Sequence, residues 1–369
     1  LIDKGVFMSA CDDTRKRHDH DLGFLLRYEN IAWYEDGLVR ILDRRVYPAE
    51  IIFQECRTVE QVADAITRMV TQSAGPYTAA GMGMALAAYQ VRGRSKEKQL
   101  AALEEAAGLL STARPTTEPR MRQVTAGALT AALRALEQGE KDLTQTLFQA
   151  AYNSLERRYE RMSRVGRNLI SLLPQEATVM THCFGETVVG TMIRAAQEKG
   201  LTLKLFCPET RPYFQGARLT ASVAAEMGTD VTVITDNMPA EVFSRHRVDL
   251  FTTAADAITL DGYVVNKIGT LQIAMVAKYF GVPYFVTGIP DQVRISQVPI
   301  EARDPNQVLE AGGVRNTRPG VKGYYPAFDI TPPHLISGVV TDTGILTPYT
   351  LDHYRPPGGR EGDYYGLVV

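Results

Sequence analysis

The chain has 369 residues, of which 45% are hydrophobic and 22% charged, and a formal net charge of −2. That balance describes a soluble globular protein. It excludes wholesale disorder and gives no support to a nucleic-acid footprint spread over the surface. The length suggests two domains with room for a sizeable core. Cys11, Cys56, Cys183 and Cys207 are widely spaced and form no CxxC pair, so neither a disulfide framework nor a zinc cluster is expected and a reducing cytoplasm is the default. No uncharged apolar run of about 18 residues occurs, so no membrane helix is expected. The opening Leu1-Ile2-Asp3-Lys4-Gly5 does not read as a signal peptide.

Residues 1–24 are polar and irregular, and their Arg17-His18-Asp19-His20-Asp21 run reads as a solvated extension rather than a metal site. Residues 31–52 alternate short apolar runs with turns and predict two or three strands. From 58 to 170 the period becomes helical, with segments at 95–110, 118–137 and 141–170. The last carries Arg157, Arg158, Arg161, Arg164 and Arg167, read as a solvated face or a subunit contact. After Pro174 the pattern turns to βα alternation. Strands are expected at 177–181, 202–206, 231–234, 250–253 and 284–286, with helices at 187–198, 216–227, 238–246 and 270–280 between them. Residues 291–323 read as a long loop segment with a short helix near 306–310, and 335–346 as a strand and hairpin. The expected organisation is α/β: an extension (1–24), a mainly helical domain with a small strand element (25–173), and a Rossmann-like domain with a mostly parallel sheet (174–369).

Neither a dinucleotide fingerprint nor a Walker motif is present; Gly81-Met82-Gly83 lacks the third glycine and the preceding strand. Chemistry without a cofactor or metal is therefore the simpler expectation. Polar residues concentrate at the predicted strand ends, where open parallel sheets bind ligands. Thr181-His182-Cys183-Phe184-Gly185-Glu186 places a cysteine beside a helix start, as an activated thiolate or as an inert buried thiol. In the stretch 208–218, Arg211 and Arg218 suit an anion or a structural ion pair, and Gln215 suits a hydroxyl or phosphate. Asp236 and Asn237 follow the next strand. Asp256 ends another among alanines, where a carboxyl can retain its proton. Asn266 and Lys267 precede a helix beginning near Gly269, a combination that suits a phosphate.

ETRPYFQGARLT at 209–220 resembles a motif of the methylthioribose-1-phosphate isomerase family. ITDNM at 234–238, VVNKIGT at 264–270 and PAFDITP at 326–332 are similar to the same family, as are ECRTVEQVADAITRMV at 55–70, GMALAA at 83–88 and ARPT at 113–116. The wider superfamily includes ribose-1,5-bisphosphate isomerases and the regulatory subunits of initiation factor 2B. The resemblance implies a helical N-terminal and a Rossmann-like C-terminal domain, a homodimer, and a small phosphorylated pentose as ligand, with no nucleic acid or membrane partner. It implies that Cys183 and Asp256 are catalytic. Arg114, Gln215, Asn266 and Lys267, with Ser73 and Ala74 of the loop near the start of the helical region, are the implied substrate contacts. His182, Arg211, Arg218, Asp236 and Asn237 are the implied supporting residues.

The implied reaction opens the furanose ring of an aldose 1-phosphate and moves the carbonyl to C2. Asp256 would protonate the ring oxygen, and hydrogen would pass from C2 to C1 through a Cys183 thiolate or as a hydride. Lys267, Arg114 and the helix entered at Gly269 would hold the phosphate, while Gln215 and Asn266 orient hydroxyls. The alternative reading is a non-catalytic sugar-phosphate or nucleotide sensor. Departures from the family pattern bear on the substrate side group and on the phosphate geometry. The usual Arg-Gly-Ala-Pro loop is Gln72-Ser73-Ala74-Gly75-Pro76 here, so its phosphate-binding arginine has no counterpart; the segment after the cysteine is Phe184-Gly185-Glu186, the usual GADR is Ala254-Ala255-Asp256-Ala257, and the usual Asn-Pro-Ala-Phe-Asp is Tyr325-Pro326-Ala327-Phe328-Asp329.

Overall fold

The computed structural model describes residues 17–356, so Cys11 and most of the expected extension lie outside the described residues. A three-stranded antiparallel sheet comes first, with β1 (Ala32–Glu35), β2 (Leu38–Leu42) and β3 (Phe53–Cys56). Five helices follow: α1 (Val59–Thr67), α2 (Gly75–Val91), α3 (Lys96–Thr112), α4 (Glu118–Glu137) and α5 (Thr144–Ile170). α2 is built from alanine, glycine, methionine and other small or apolar residues, and it is buried on nearly every side. A helix apolar all round belongs at a core centre, and the other helices and the small sheet wrap it. Gly81 and Gly83 are therefore packing residues: a Cβ on Gly81 would stand 3.1 Å from that of Ala151.

The second layer is a seven-stranded sheet in the order β15-β14-β10-β7-β4-β5-β6. Its strands are β4 (Glu176–Met180), β5 (Thr202–Pro208), β6 (Asp230–Ile234), β7 (Leu250–Thr253), β10 (Tyr284–Thr287), β14 (Gly338–Thr341) and β15 (Gly344–Leu346). All neighbours are parallel except β14 and β15. The covering helices are α6 (Glu186–Glu198), α7 (Ala221–Glu226), α8 (Pro239–Arg245) and α9 (Thr270–Tyr279). After β4 the chain builds outward through β5 and β6, then returns to the other side of β4 with β7. The topological switch point thus lies between β4 and β7, the place where open α/β sheets bind ligands.

The sequence pattern hid three features. A second antiparallel sheet, β8 (Ala257–Ile258), β9 (Val264–Lys267) and β13 (Phe328–Thr331), lies beside the main one, so Asn266 and Lys267 sit on a strand rather than at a helix start. A small hairpin, β11 (Glu310–Ala311) and β12 (Val314–Arg315), lies within the long loop segment. Gly216–Thr220, expected as plain helix, winds as a π-helix, a form common at functional sites.

Two expectations about charge are corrected. Residues 17–24 are docked, not solvated: Asp19 is 1% exposed and accepts from the Tyr28 amide at 2.8 Å, and Leu22 enters the core with Leu25 and Leu26. Burial of those leucines draws the polar run onto the surface. The arginines of α5 do not share one solvated face. Arg158 and Arg161 are buried, with Arg158 donating to Thr78 Oγ1 at 2.9 Å and Arg161 facing Asp342 at 3.5 Å, whereas Arg164 pairs along its own helix with Glu160. α5 binds the helical layer to the sheet layer. It crosses α6 so closely that a Cβ on Gly166 would lie 2.7 Å from the Thr191 carbonyl oxygen.

Candidate active site

A cavity of about 100 Å³ opens at the carboxyl ends of β4 and β7. Cys183, Asp256, Ser73, Ala74, Arg114, Gln215, Asn266 and Lys267 all line it. Segments far apart in sequence supply them.

Cys183 follows β4 in the left-handed backbone region, at φ 61°, an uncommon conformation for a residue with a side chain. Its amide donates to Thr210 Oγ1 at 3.1 Å and its carbonyl accepts from Thr220 Oγ1 at 2.6 Å. Thr210 is itself left-handed (φ 65°), and its amide and that of Arg211 donate to Asp236 at 2.7 Å. Asp236 thus holds the ETRP turn, and the turn holds the cysteine. Gly216 permits the turn, because a Cβ there would sit 1.8 Å from the Pro208 carbonyl oxygen. Gln215, one residue earlier, is thereby aimed into the cavity with Oε1 unpartnered.

Asp256 lies just beyond the end of β7, in a turn clamped by Arg120. That guanidinium grips Asp291 at 2.7 and 2.6 Å and also donates to the Ala255 carbonyl at 3.3 Å. The expectation of a carboxyl alone among alanines is corrected: Arg114 reaches Asp256 Oδ1 at 3.0 Å. Lys267 is 3% exposed and its ammonium has no hydrogen-bond partner; it lies over the rings of Phe328 (4.7 Å), Tyr325 (5.9 Å) and Tyr213 (6.0 Å). Arg114 Nη1 is likewise buried without a hydrogen-bond partner, while Nε of the same guanidinium faces the Glu301 carboxylate at 4.0 Å. Unpaired buried donors are costly, so these atoms mark where an anion would be held.

The thiolate expected from the helix start is also corrected. Burial pushes the Cys183 thiol up to about 11, despite the opposing charge of Lys267, so a neutral thiol is the resting form. Burial lowers Lys267 to about 8. The amine is charged below that value and neutral above it. We therefore expect kcat/KM for a phosphorylated substrate to fall as pH rises through about 8, since kcat/KM reports groups of the free enzyme. Lys267→Arg should lose that limb while Lys267→Met loses most of the activity as well; an unchanged profile in Lys267→Arg would show that another group titrates.

The phosphate contact expected at the α9 start is absent. Asp329 Oδ2 accepts from Gly269 N at 2.7 Å and Leu271 N at 3.1 Å, which caps that end, and Gly269 does not line the cavity. The helix start that does line it belongs to α6, at Gly185, Glu186, Thr187 and Val188. Ser73 Oγ accepts from the Glu186 amide at 3.1 Å, with Ser73 in the left-handed region at φ 57°.

The five supporting residues lie outside the cavity lining. His182 Nε2 contacts the Ile268 carbonyl oxygen at 2.9 Å, and burial lowers its pKa. Arg211 donates to the Glu310 carbonyl at 2.7 Å, tying down the loop segment. Arg218 donates to the carbonyls of Tyr47 and Arg44 and so ties the two layers together. Asn237 Oδ1 accepts from Thr235 Oγ1 at 2.5 Å.

Sequence reasoning missed Arg44. It is fully buried and donates from Nη1 to Glu186 Oε2 at 2.8 Å and to the Gln72 carbonyl at 2.6 Å. Its partner is 142 residues away and no local pattern marks it. Among the described residues no group of three or more His, Cys, Asp or Glu could hold a metal, and no helix is long and apolar enough to cross a membrane.

A Rossmann-like sheet closed by a helical layer, with a thiol, a carboxyl and two buried cations at its switch point, defines a class of small-anion-binding α/β protein. The family model that matches is the initiation factor 2 subunit family, over residues 73–348. The chain is 33% identical to the methylthioribose-1-phosphate isomerase of Desulforamulus reducens, over 86% of this chain and 96% of that one. It is 36% identical to the 5-deoxyribose 1-phosphate isomerase of Moorella thermoacetica, over 86% of this chain and 94% of that one. Among solved structures, that of the translation initiation factor eIF-2B, subunit delta, from A. fulgidus superposes with a TM-score of 0.73 at 31% identity, covering 86% of this chain and 96% of that one. The chain belongs to the methylthioribose-1-phosphate isomerase family, within the initiation factor 2B-like superfamily.

Proposed function

We propose that this protein is an aldose-ketose isomerase that converts a ribose 1-phosphate carrying a C5 substituent into the ribulose 1-phosphate. The observation that supports it is the convergence of Cys183 and Asp256 on one cavity with the unpartnered cationic atoms of Lys267 and Arg114. A sensor of the initiation-factor type needs the cations but has no use for the thiol and carboxyl beside them. In this reading Lys267 and Arg114 hold the phosphate, while Gln215 and Asn266 orient hydroxyls.

The route requires Asp256 in its acid form, with Arg114, its ion-pair partner in the free protein, turned to the phosphate; Asp256 then gives a proton to the ring oxygen as the C1–O bond to it breaks, leaving an oxocarbenium at C1. A neutral Cys183 thiol favours the route in which hydrogen then moves from C2 to C1 with its electron pair. Positive charge passes to C2, the O2 proton goes to the Asp256 carboxylate, and C2 becomes the ketone carbon. Cys183 serves as the hydrogen-bond partner of O2. A substrate that displaces water from the cavity strengthens each of these charge interactions. With substrate deuterated at C2 and run in ordinary water, the label should appear at C1 of the ketose. Washout of the label would instead mark Cys183 as a base. Tight binding of aldose 1-phosphates with no turnover of any would give the sensor reading the site.

We further propose that the protein is a cytoplasmic homodimer, with its helical and Rossmann-like layers as domains 25–173 and 174–369. Val233 on β6 and Met238 in the turn after it are exposed apolar residues at the β6 edge of the sheet layer, and Met275 and Tyr279 are exposed on α9, which packs on β7, β10 and β13; exposed apolar side chains of this kind favour a partner. Light scattering at micromolar concentration should give about twice the 40.7 kDa chain mass; a clean monomer would remove the proposal.

A further inference from the structure

The cavity has a second end whose chemistry is opposite to the first. Arg114 and Lys267 act electrostatically on Cys183 together with Asp256, so the cationic atoms and the reacting pair form one cluster. Glu186 belongs to another, with Arg44, Arg158 and Tyr159. At that end Glu186 Oε1, Gln72 Oε1 and Thr187 Oγ1 are buried with no hydrogen-bond partner, and all three residues line the cavity. Glu186 and Gln72 are 1% and 2% exposed. The carboxylate and amide oxygens only accept hydrogen bonds, and the hydroxyl does either. Arg44 occupies the other carboxylate oxygen of Glu186 and leaves Oε1 uncovered.

A buried acceptor without a donor costs free energy that a ligand recovers by donating to it. A phosphate brought there would meet a carboxylate oxygen that only accepts: Arg44 and Arg158 offset the Glu186 charge, but Oε1 offers a phosphate oxygen no hydrogen to bind. The phosphate is therefore better served by Lys267 and Arg114 than by the α6 start. With the 1-phosphate drawn to Lys267 and Arg114, and C1 and C2 set against Cys183 and Asp256, the C5 end of the sugar is the part left to face Glu186.

We propose that Glu186 and Gln72 select a pentose 1-phosphate whose C5 group donates a hydrogen bond, a hydroxyl or an ammonium, over one ending in a methyl, a thioether or a phosphate. The inference rests on the isomerase reading and narrows its substrate class.

The test is a comparison of kcat/KM on four compounds: ribose 1-phosphate, 5-deoxyribose 1-phosphate, 5-methylthioribose 1-phosphate and ribose 1,5-bisphosphate. Wild-type enzyme should favour ribose 1-phosphate over the 5-deoxy and methylthio compounds by about tenfold or more, the usual range for a lost bond to a buried charged group, and should discriminate against the bisphosphate at least as strongly. The readout for the residues is the ratio of hydroxyl to deoxy substrate. It should fall part way in Glu186→Gln and to within about threefold of unity in the double variant Arg44→Met/Glu186→Met, which leaves neither charge of that pair behind. Gln72→Met, which touches no charge, should lower the same ratio if the double variant does not fold. Equal use of the deoxy, methylthio and hydroxyl compounds by wild type would overturn the inference and leave the isomerase standing, as would efficient use of the bisphosphate. A ratio unchanged in every folded variant would also overturn it. Turnover of none of the four would defeat the isomerase reading, and this inference with it.

Discussion

Asp256→Asn is expected to lower kcat by about 10²–10⁴-fold, the usual worth of a positioned acid–base group, and Cys183→Ala by up to about tenfold, the worth of one neutral hydrogen bond, while the protein still binds a sugar phosphate. Asp256 is asked to protonate the ring oxygen, a step the substrate does not take unaided because its anomeric oxygen is capped. The carboxamide introduced by Asp256→Asn has no acidic proton to give, yet it preserves the shape of the turn clamped by Arg120 and Asp291. Cys183 touches the same cavity, and its neutral thiol is the polar group set beside the C2 centre in the proposed route. Removing one sulfur from a position already held by Thr210 and Thr220 through its backbone should leave those hydrogen bonds in place. Binding should persist because Lys267 and Arg114 keep their charges in both variants, although Asp256→Asn removes the carboxylate that Arg114 contacts. Lys267→Met should differ in kind: it removes phosphate grip and therefore raises KM more than it lowers kcat. Phosphorus NMR of turnover alongside calorimetric binding separates the two patterns. Wild-type turnover in both Cys183→Ala and Asp256→Asn would end the assignment of these residues.

Arg44→Met is expected to destabilise the fold by about 3–5 kcal/mol, because it leaves the Glu186 carboxylate buried and without its ion-pair partner. Both side chains are fully buried, and Nη1 of Arg44 also closes the Gln72 carbonyl at the start of the strained loop. Replacing both partners is a different matter. Two buried charges cost several kcal/mol to desolvate, and their attraction offsets that only in part, so Arg44→Met/Glu186→Met should recover most of the loss. Urea melts of wild type, each single variant and the double variant give the coupling directly. If the double variant is no more stable than Arg44→Met alone, the pair is not what the single substitution breaks.

The parallel sheet and its helices were legible because the central strands β7 and β10 are buried on both faces, β5 alternates and most covering helices bury one face, which writes apolar runs and helical periods into the chain. β9 was harder. Val264-Val265-Asn266-Lys267 is only four residues long and ends in polar side chains, so it reads as a lead-in to α9. Its pairing with β13, with Lys267 opposite Phe328, is a contact 61 residues apart that no local pattern carries. The π-turn at Gly216–Thr220 was hidden for a related reason. Its residues suit an ordinary helix, and the departure comes from the tight approach of Gly216 to the Pro208 carbonyl.

By itself the sequence determined the α/β organisation, the family, and the part of the cavity lining that lies in motifs or at strand ends, but it did not single out Gln72, Glu186 or Thr187, which also line the cavity. Only the tertiary structure decided the chemical state of the expected site residues. Cys183 stands at a helix start, which alone argues for a thiolate, but it lies half-buried in the cavity wall, where desolvation outweighs the charge of Lys267. Gly269 opens a helix, which alone argues for a phosphate site, but Asp329 from β13 fills it first. Asp256 lies among alanines in sequence and beside Arg114 in space. Burial and pairing depend on what the rest of the chain brings within a few ångströms, and motifs do not record that distance.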